Sequence, residues 1–431
     1  MITQSIKNKI SELKKTYPKL TAVSFGKKIT DNKYTGEFSF NFYVKKKLDV
    51  SELNYNEILP SKVFVDGVSY STDVIEMVET SLICNPTILG QCYSFKQGDV
   101  GSCSTMSSPN QNVVRPVQGG LEIKELNAGG RGTMGFIAVD VVSNCLVGVT
   151  NNHVVIPNYI ITSQRNTTNN ITNEAGVIVG QNSTSNPIGR IVRYVPTYYS
   201  PTPNYVDGAI FAMCANTVDT SVSWKQYNLP IDSPMPFATT QEIDNLLITN
   251  PPVSSTGRST GAKFGNCGLT ISSLSVSLSI GTTPFSPMFP GTLYYEDCIE
   301  YTRPDPQCTY PCANGDSGSA LVAELGGVWK IIGLVFAAGS ACSNVTMPCC
   351  AGGISCPPIG PCFPAFTKAY ACRIDRVAEE LGIYAWDGSQ KPFATNIETV
   401  TFPGSYSSPT LICNNKEYWQ VGLTTSNNPC T

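Results

Sequence analysis

The apolar positions change period several times along the first 80 residues. In "SIKNKISELKKTYP", Ile6, Ile10 and Leu13 recur at helical spacing, and Pro18 closes the segment. "AVSFGKKI" and "FSFNFYVKKK" read as strands, the second with Phe38, Phe40 and Phe42 in alternation. "VSELNYNEILP" reads as a short helix and "KVFVDGVSYSTDVIEMV" as a strand pair. These elements predict a small α+β domain over residues 1–80. Its open roles are docking, regulation, a prodomain or a plain structural appendage.

Residues 81–115 lose this periodicity. "GQCYSFKQGDVGSCSTMSSPNQNVV" is rich in Gly, Ser, Asn and Gln and reads as a linker. From about 116 to 372 short apolar runs alternate with turns: "MGFIAVDVV", "CLVGVTNNHVVI", "AGVIVG", "IGRIVRYV", "VDGAIFAMC", "LTISSLSVSLSI", "SALVAEL" and "WKIIGLVFAAG". Many short strands without interleaved helices predict an antiparallel sandwich or barrel. One helix follows at "CRIDRVAEELGI", with Ile374, Val377, Ala378 and Leu381 on one face and Gly382 as its stop. Residues 384–431 form a C-terminal extension with no assigned role.

Composition narrows the classes. At 431 residues the chain exceeds one ordinary core, and 41% hydrophobic with 14% charged residues is globular. The net charge of −3 gives no broad electrostatic case for nucleic acid or an anionic membrane. No apolar run reaches the roughly 18 residues of a membrane span. The first twenty residues contain no h-region, which favours the cytoplasm over secretion. The 17 cysteines argue the other way, and their odd number forbids complete pairing within one chain. The cluster Cys342, Cys349, Cys350, Cys356 and Cys362 lacks the paired spacing of common zinc sites, so structural thiols or disulfides are expected rather than a metal. No cofactor is implied.

Two stretches carry chemistry. "VGVTNNHVVI" holds His153, the only histidine in the chain. "CANGDSGSALV" places Ser317 between glycines ahead of an apolar run, which suits a nucleophile on a tight loop. The amides of Gly315 and Ser317 are expected to face a developing oxyanion. A serine hydroxyl needs a general base, and His153 is the one imidazole available. For the acid that orients it, Asp207 in "NYVDGAIFAM" is favoured, because a carboxylate flanked by Val206, Ala209 and Ile210 needs a strong hydrogen-bond donor. Asp140 and Asp297 remain open as alternatives.

In the order His153, Asp207, Ser317, these motifs resemble those of the chymotrypsin/trypsin-like serine proteases. The resemblance spans about 116–383. It implies a mainly β chymotrypsin-like double β-barrel with a closing helix, and peptide-bond hydrolysis through an acyl-enzyme. More narrowly, "RPVQGG", "TNNHV", "GRSTGAKFGNCGLT", "GDSGS" and "CRIDRVAEELGI" resemble bacterial trypsin-like peptidases related to plant narrow-leaf-type proteins.

The departures from the family pattern are local. Val154 stands where secreted trypsins carry a cysteine, and Ser319 replaces the second glycine of GDSGG. Asp316 holds the place of the aspartate that pairs with a new N-terminus after activation cleavage, yet Pro116 after Arg115 blocks a trypsin-type cut, so its partner is open. Cys312 is a candidate for a disulfide bracing the oxyanion loop. The resemblance puts Pro311, Phe336, Ala337 and Ala338 against the substrate, with small or apolar side chains preferred. The expected function is a serine endopeptidase acting on a protein or peptide. The alternatives are a protease latent until a partner or cleavage acts at the N-terminal domain, and a non-catalytic binding protein on the same fold.

Overall fold

The computed structural model describes residues 2–30, 33–77, 79–82, 109–125, 131–156, 160–161, 178–181, 186–265, 268–281, 291–303, 311–313, 315–340, 366–392, 410–413 and 416–420. The cysteine cluster and most of the expected linker lie outside these residues. The fold is mainly β, as the alternating and continuous apolar runs predict.

Two sheets dominate. A ten-stranded sheet runs in the spatial order Ile383–Ala385, Phe136–Asp140, Leu146–Thr150, Ala209–Met213, Pro187–Tyr194, Ile178–Gly180, Glu122–Glu125 and Arg131–Thr133. The pair Thr410–Cys413 and Lys416–Gln420 joins it at Pro187–Tyr194. In the thirteen-stranded sheet the main path begins Gly261–Lys263, Val253–Gly257, Ala320–Leu325, Val328–Ser340, Phe366–Arg373, Thr292–Thr302 and Thr270–Gly281. It continues into Ala22–Thr30, Lys33–Val44, Val68–Glu76 and Lys62–Val65. The N-terminal strands therefore extend the second sheet, with Ala22 opposite Leu278 and Phe25 opposite Leu274.

The alternation at Phe38, Phe40 and Phe42 marks one face of a strand whose other face is also buried. On the apolar face, the Phe25 ring meets those of Phe40 and Tyr70 edge-on, each at 5.2 Å between centroids. The opposite face carries Ser39, Asn41 and Tyr43, all buried. They are tolerated because each has a partner. The Asn41 amide donates to Ser273 Oγ at 3.3 Å, and Lys368 Nζ donates to Tyr43 Oη at 3.4 Å and to Glu300 Oε1 at 2.6 Å. Burial pushes the Tyr43 phenol up to about 12. Burial alone would lower the Lys368 ammonium, but the Glu300 carboxylate raises it above the ordinary lysine range. Lys368 and Tyr43 lie on strands four places apart along the sheet, so their contact requires the sheet to curl on itself.

The first helix, Gln4–Thr16, buries Ile6, Ile10 and Leu13 as its spacing predicts, and Thr3 caps it by accepting from Ile6 N–H. Lys7 on this helix pairs with Asp244 at 3.0 Å, and Asp244 with the buried Arg373 at 2.7 Å. The short helix expected in "VSELNYNEILP" is instead two single 3₁₀ turns, Val50–Glu52 and Tyr55–Glu57. Asp49 with Glu52, and Asn54 with Glu57, form a capping box on each turn and satisfy the backbone locally before a longer helix can propagate. The closing helix Ile374–Leu381 buries Ile374, Val377 and Leu381, and Gly382 ends it at φ 61°. Among the described residues no helix is long and apolar enough to cross a membrane.

Replacing Phe40 removes a fully buried ring from the N-terminal aromatic cluster. Phe40→Ala is expected to lower the unfolding free energy by about 3–5 kcal/mol. Urea unfolding of the full chain measures it, and a loss below about 1 kcal/mol would place the ring outside the core that holds the fold.

Candidate active site

The strand Leu146–Thr150 is fully buried and ends at two asparagines, where a four-residue helical turn, Asn152–Val155, begins. Val154 and Val155 pin the turn into the core. The asparagine amides fasten it sideways, Asn151 to the Asp207 carbonyl at 2.7 Å and Asn152 to the Val195 carbonyl at 2.6 Å. His153 thus projects from a turn held on both flanks.

Asp207 precedes the strand Ala209–Met213, which neighbours Leu146–Thr150 in the ten-stranded sheet. Its carboxylate receives His153 twice: Oδ1 accepts the backbone N–H at 3.2 Å, and Oδ2 meets Nδ1 at 2.5 Å. Both side chains are fully buried. A carboxylate paired this way accepts only, so the proton sits on Nδ1 and Nε2 is left as an acceptor. Ser317 Oγ lies 2.9 Å from Nε2 and donates to it. The Asp207 N–H donates to Cys372 Sγ at 3.3 Å, and this thiol is raised by burial and then by the Asp207 charge. Asp140 pairs instead with Arg193 at 2.9 Å, and Asp297 with Arg373 and Ser275. Of the three acids considered, the structure brings Asp207 to His153.

Ser317 belongs to the other sheet. Gly315 and Gly318 flank it at φ 95° and 90°, a region that favours glycine. A Cβ at Gly318 would lie 2.1 Å from the Thr133 carbonyl oxygen. That closeness has a purpose. Thr133 donates its N–H to Ser317 O at 2.7 Å and its hydroxyl to Gly315 O at 2.8 Å. The Asp316 carbonyl accepts from Ser319 N–H and from Ser319 Oγ. Consecutive carbonyls of the loop are therefore anchored, which fixes the peptide unit carrying the Ser317 amide. Ser319, the departure from GDSGG, supplies one of those anchors.

Asp316 finds its partner inside the chain. Oδ1 accepts from Ser259 N–H at 2.9 Å and Thr260 N–H at 3.1 Å. Oδ2 accepts from Thr260 Oγ1 at 2.6 Å and Ala313 N–H at 3.0 Å, with Lys263 Nζ at 3.6 Å. Both Asp316 and Lys263 are buried. A Cβ on Gly257 would stand 2.3 Å from Asp316 Oδ1, so "GRST" must begin with glycine to admit the carboxylate. The disulfide expected at Cys312 is absent: Cys312 is a free, buried thiol, raised by burial and by the neighbouring Asp316 charge. Hydrogen bonds to Asp316 do the bracing assigned to that disulfide.

Of the candidate substrate residues, Pro311 is buried ahead of the loop. Phe336 is fully buried with its ring 4.7 Å from that of Tyr295. Ala337 and Ala338 lie opposite Leu82 and Ser81 on a neighbouring strand. Sequence reasoning passed over Thr133, Asn151, Asn152, Thr260 and Lys263. The asparagines left a signal, two polar residues interrupting an apolar run. Thr133 left none.

No protein-family model and no curated protein sequence matches the chain. Among solved structures, it is similar to a glutamic-acid-specific serine protease that uses a histidine triad in substrate binding (15% identity, 63% of this chain and 100% of that one, TM-score 0.36). Thermobifida fusca protease A (14%, 63% and 98%, 0.35) and Cellulomonas bogoriensis chymotrypsin (16%, 63% and 98%, 0.33) are further neighbours.

Asp316→Asn removes the negative charge beside the buried Lys263. It is expected to cost about 3–5 kcal/mol of stability, because the lysine charge stays buried without its counter-charge. Chemical unfolding of the variant tests this, and the double variant Asp316→Asn/Lys263→Met should recover part of the loss.

Proposed function

We propose that the chain is a serine endopeptidase. The observation that carries this reading is the continuous hydrogen-bonded line from Asp207 through His153 to Ser317, spanning both sheets and buried throughout. In this reading Ser317 Oγ attacks the scissile carbonyl while His153 Nε2 takes its proton. Asp207, held on Nδ1 and on the backbone of the same histidine, fixes the tautomer and stabilises the imidazolium. The amides of Gly315 and Ser317 receive the oxyanion, that of Ser317 in an orientation that Thr133 and Ser319 set before substrate arrives. His153 then returns its proton to the leaving amine, and water hydrolyses the acyl-enzyme by the reverse sequence.

The substrate is a protein or peptide, with a small or apolar residue before the scissile bond. Asp316 supports activity without a newly cut N-terminus, since loop 257–260 and Lys263 already supply the partner that activation cleavage supplies in trypsins. The non-catalytic alternative is disfavoured because a binding protein has no need of a histidine held at both its ring nitrogens between an acid and a hydroxyl.

A fluorophosphonate probe is expected to label wild-type Ser317 and to leave Ser317→Ala unlabelled. His153→Ala should lose peptidase activity as heavily as Ser317→Ala, because the three residues act as a unit. Asp207→Asn should fall on the order of 10⁴-fold in kcat. Absence of labelling in the folded wild type and in folded variants that loosen residues 79–82 beside the site would overturn the reading. Thr260→Val, which removes one bond to Asp316 and touches no substrate, should lower kcat while leaving KM within about twofold.

A further inference from the structure

The strand Val328–Ser340 connects the serine loop to the N-terminal segment. Along one edge, from Gly333 to Ser340, it pairs with Phe366–Arg373. The other edge is shared among three segments. Ala320–Leu325 covers Val328 to Leu334. Then the serine loop takes over: Gly318 N–H donates to the Val335 carbonyl at 2.8 Å, and Val335 N–H donates to Ser319 O at 2.9 Å. From Ala337 onward the edge is taken by Glu79–Leu82, antiparallel, with Leu82 opposite Ala337, Ser81 opposite Ala338, Thr80 opposite Gly339 and Glu79 opposite Ser340.

We propose that Glu79–Leu82 occupies, in cis, the sheet edge along which an extended peptide substrate lies, so that the chain closes its own site. The proposal rests on the endopeptidase reading. Direction supports it. Because the pairing is antiparallel, the segment runs from Glu79 at the far end of the edge to Leu82 at the near end, two residues short of Val335 and the serine loop. An acyl-donating peptide that adds to the edge in this sense delivers its carbonyl side toward Ser317. Strand addition recognises a peptide through main-chain N–H and C=O groups, so a substrate and Glu79–Leu82 compete for the same groups of Ala337–Gly339.

The contact is built rather than incidental. Met77, just upstream, is buried, and its sulfur accepts from Tyr370 Oη at 3.1 Å. A Cβ on Gly339 would stand 2.6 Å from that sulfur, so the edge strand has glycine where Met77 crosses it. Met77 N–H donates to the Val44 carbonyl at 2.7 Å, which ties the segment to the N-terminal strands. Thr80 is buried as well, and Ser317 has no solvent exposure.

The test compares the full chain with Thr80→Pro/Ser81→Pro. Neighbouring residues of a strand point their N–H groups to opposite sides, so one of the two prolines must delete a donor to the edge. Thr80→Gly/Ser81→Gly is the milder companion, and thermal melting checks that each variant is folded. The substrate is a pool of quenched-fluorescent octapeptides, and a fluorophosphonate probe reports Ser317 separately. A segment that keeps about nine-tenths of the molecules closed implies a rise in octapeptide turnover approaching about tenfold when it is fully released. That rise in either folded variant supports the proposal. Labelling of Ser317 in wild type and variants with unchanged turnover overturns it and leaves the endopeptidase reading intact. No labelling in any of them overturns both.

Discussion

Everything at the candidate site depends on where the carboxylate of Asp316 goes. The residue is adjacent to Ser317 and almost fully buried, so its charge must be satisfied or the loop cannot stay in place. Three backbone N–H groups, one hydroxyl and the Lys263 ammonium satisfy it. Those groups come mainly from the turn after Val253–Gly257, a strand that pairs with the strand following Ser317. The same sheet thus supplies the loop, its counter-charge and its rigidity. With Asp316 fixed, the left-handed glycines on either side of Ser317 hold their conformations, and the hydroxyl meets His153.

The histidine, aspartate and serine are legible in the sequence because each sits in a short motif whose form is local: a polar break in an apolar run, a lone acid before an apolar strand, a serine between glycines. The strands of residues 116–340 and the two main helices are legible for the same reason, since their periodicity is a property of neighbouring residues. What escaped depends on contacts distant in sequence. Thr133 reaches Gly315 across 182 residues, and nothing near Thr133 announces it. Likewise Ser39, Asn41 and Tyr43 look like the solvent face of an alternating strand. They are buried because Asn41 and Tyr43 find partners in Ser273 and Lys368, more than 200 residues away, and Ser39 donates to Asn41. In "VSELNYNEILP", read as one short helix, the capping pairs Asp49–Glu52 and Asn54–Glu57 instead close two separate turns.

The N-terminal residues take on a different meaning from their place in the sheet. Their strands continue it beyond Thr270–Gly281, and an ion-pair chain from Lys7 through Asp244 to Arg373 fastens the first helix to the strand end that leads into the closing helix. Such an attachment sets the position of whatever follows it in the chain. Met77 and Glu79–Leu82 follow it, and they lie against the strand that flanks the Ser317 loop.

Thr133 ends a strand of the ten-stranded sheet, yet its amide and hydroxyl hold carbonyls of a loop that belongs to the thirteen-stranded one. His153 and Ser317 face each other across the same seam. Neither half of the molecule brings His153 to Ser317 by itself. During synthesis the segment bearing His153 emerges well before the one bearing Ser317, and until both halves are folded the two side chains stay apart. Under the proposed endopeptidase reading, a chain whose two sheets have yet to meet lacks its general base, so the seam itself withholds the chemistry until folding joins the halves.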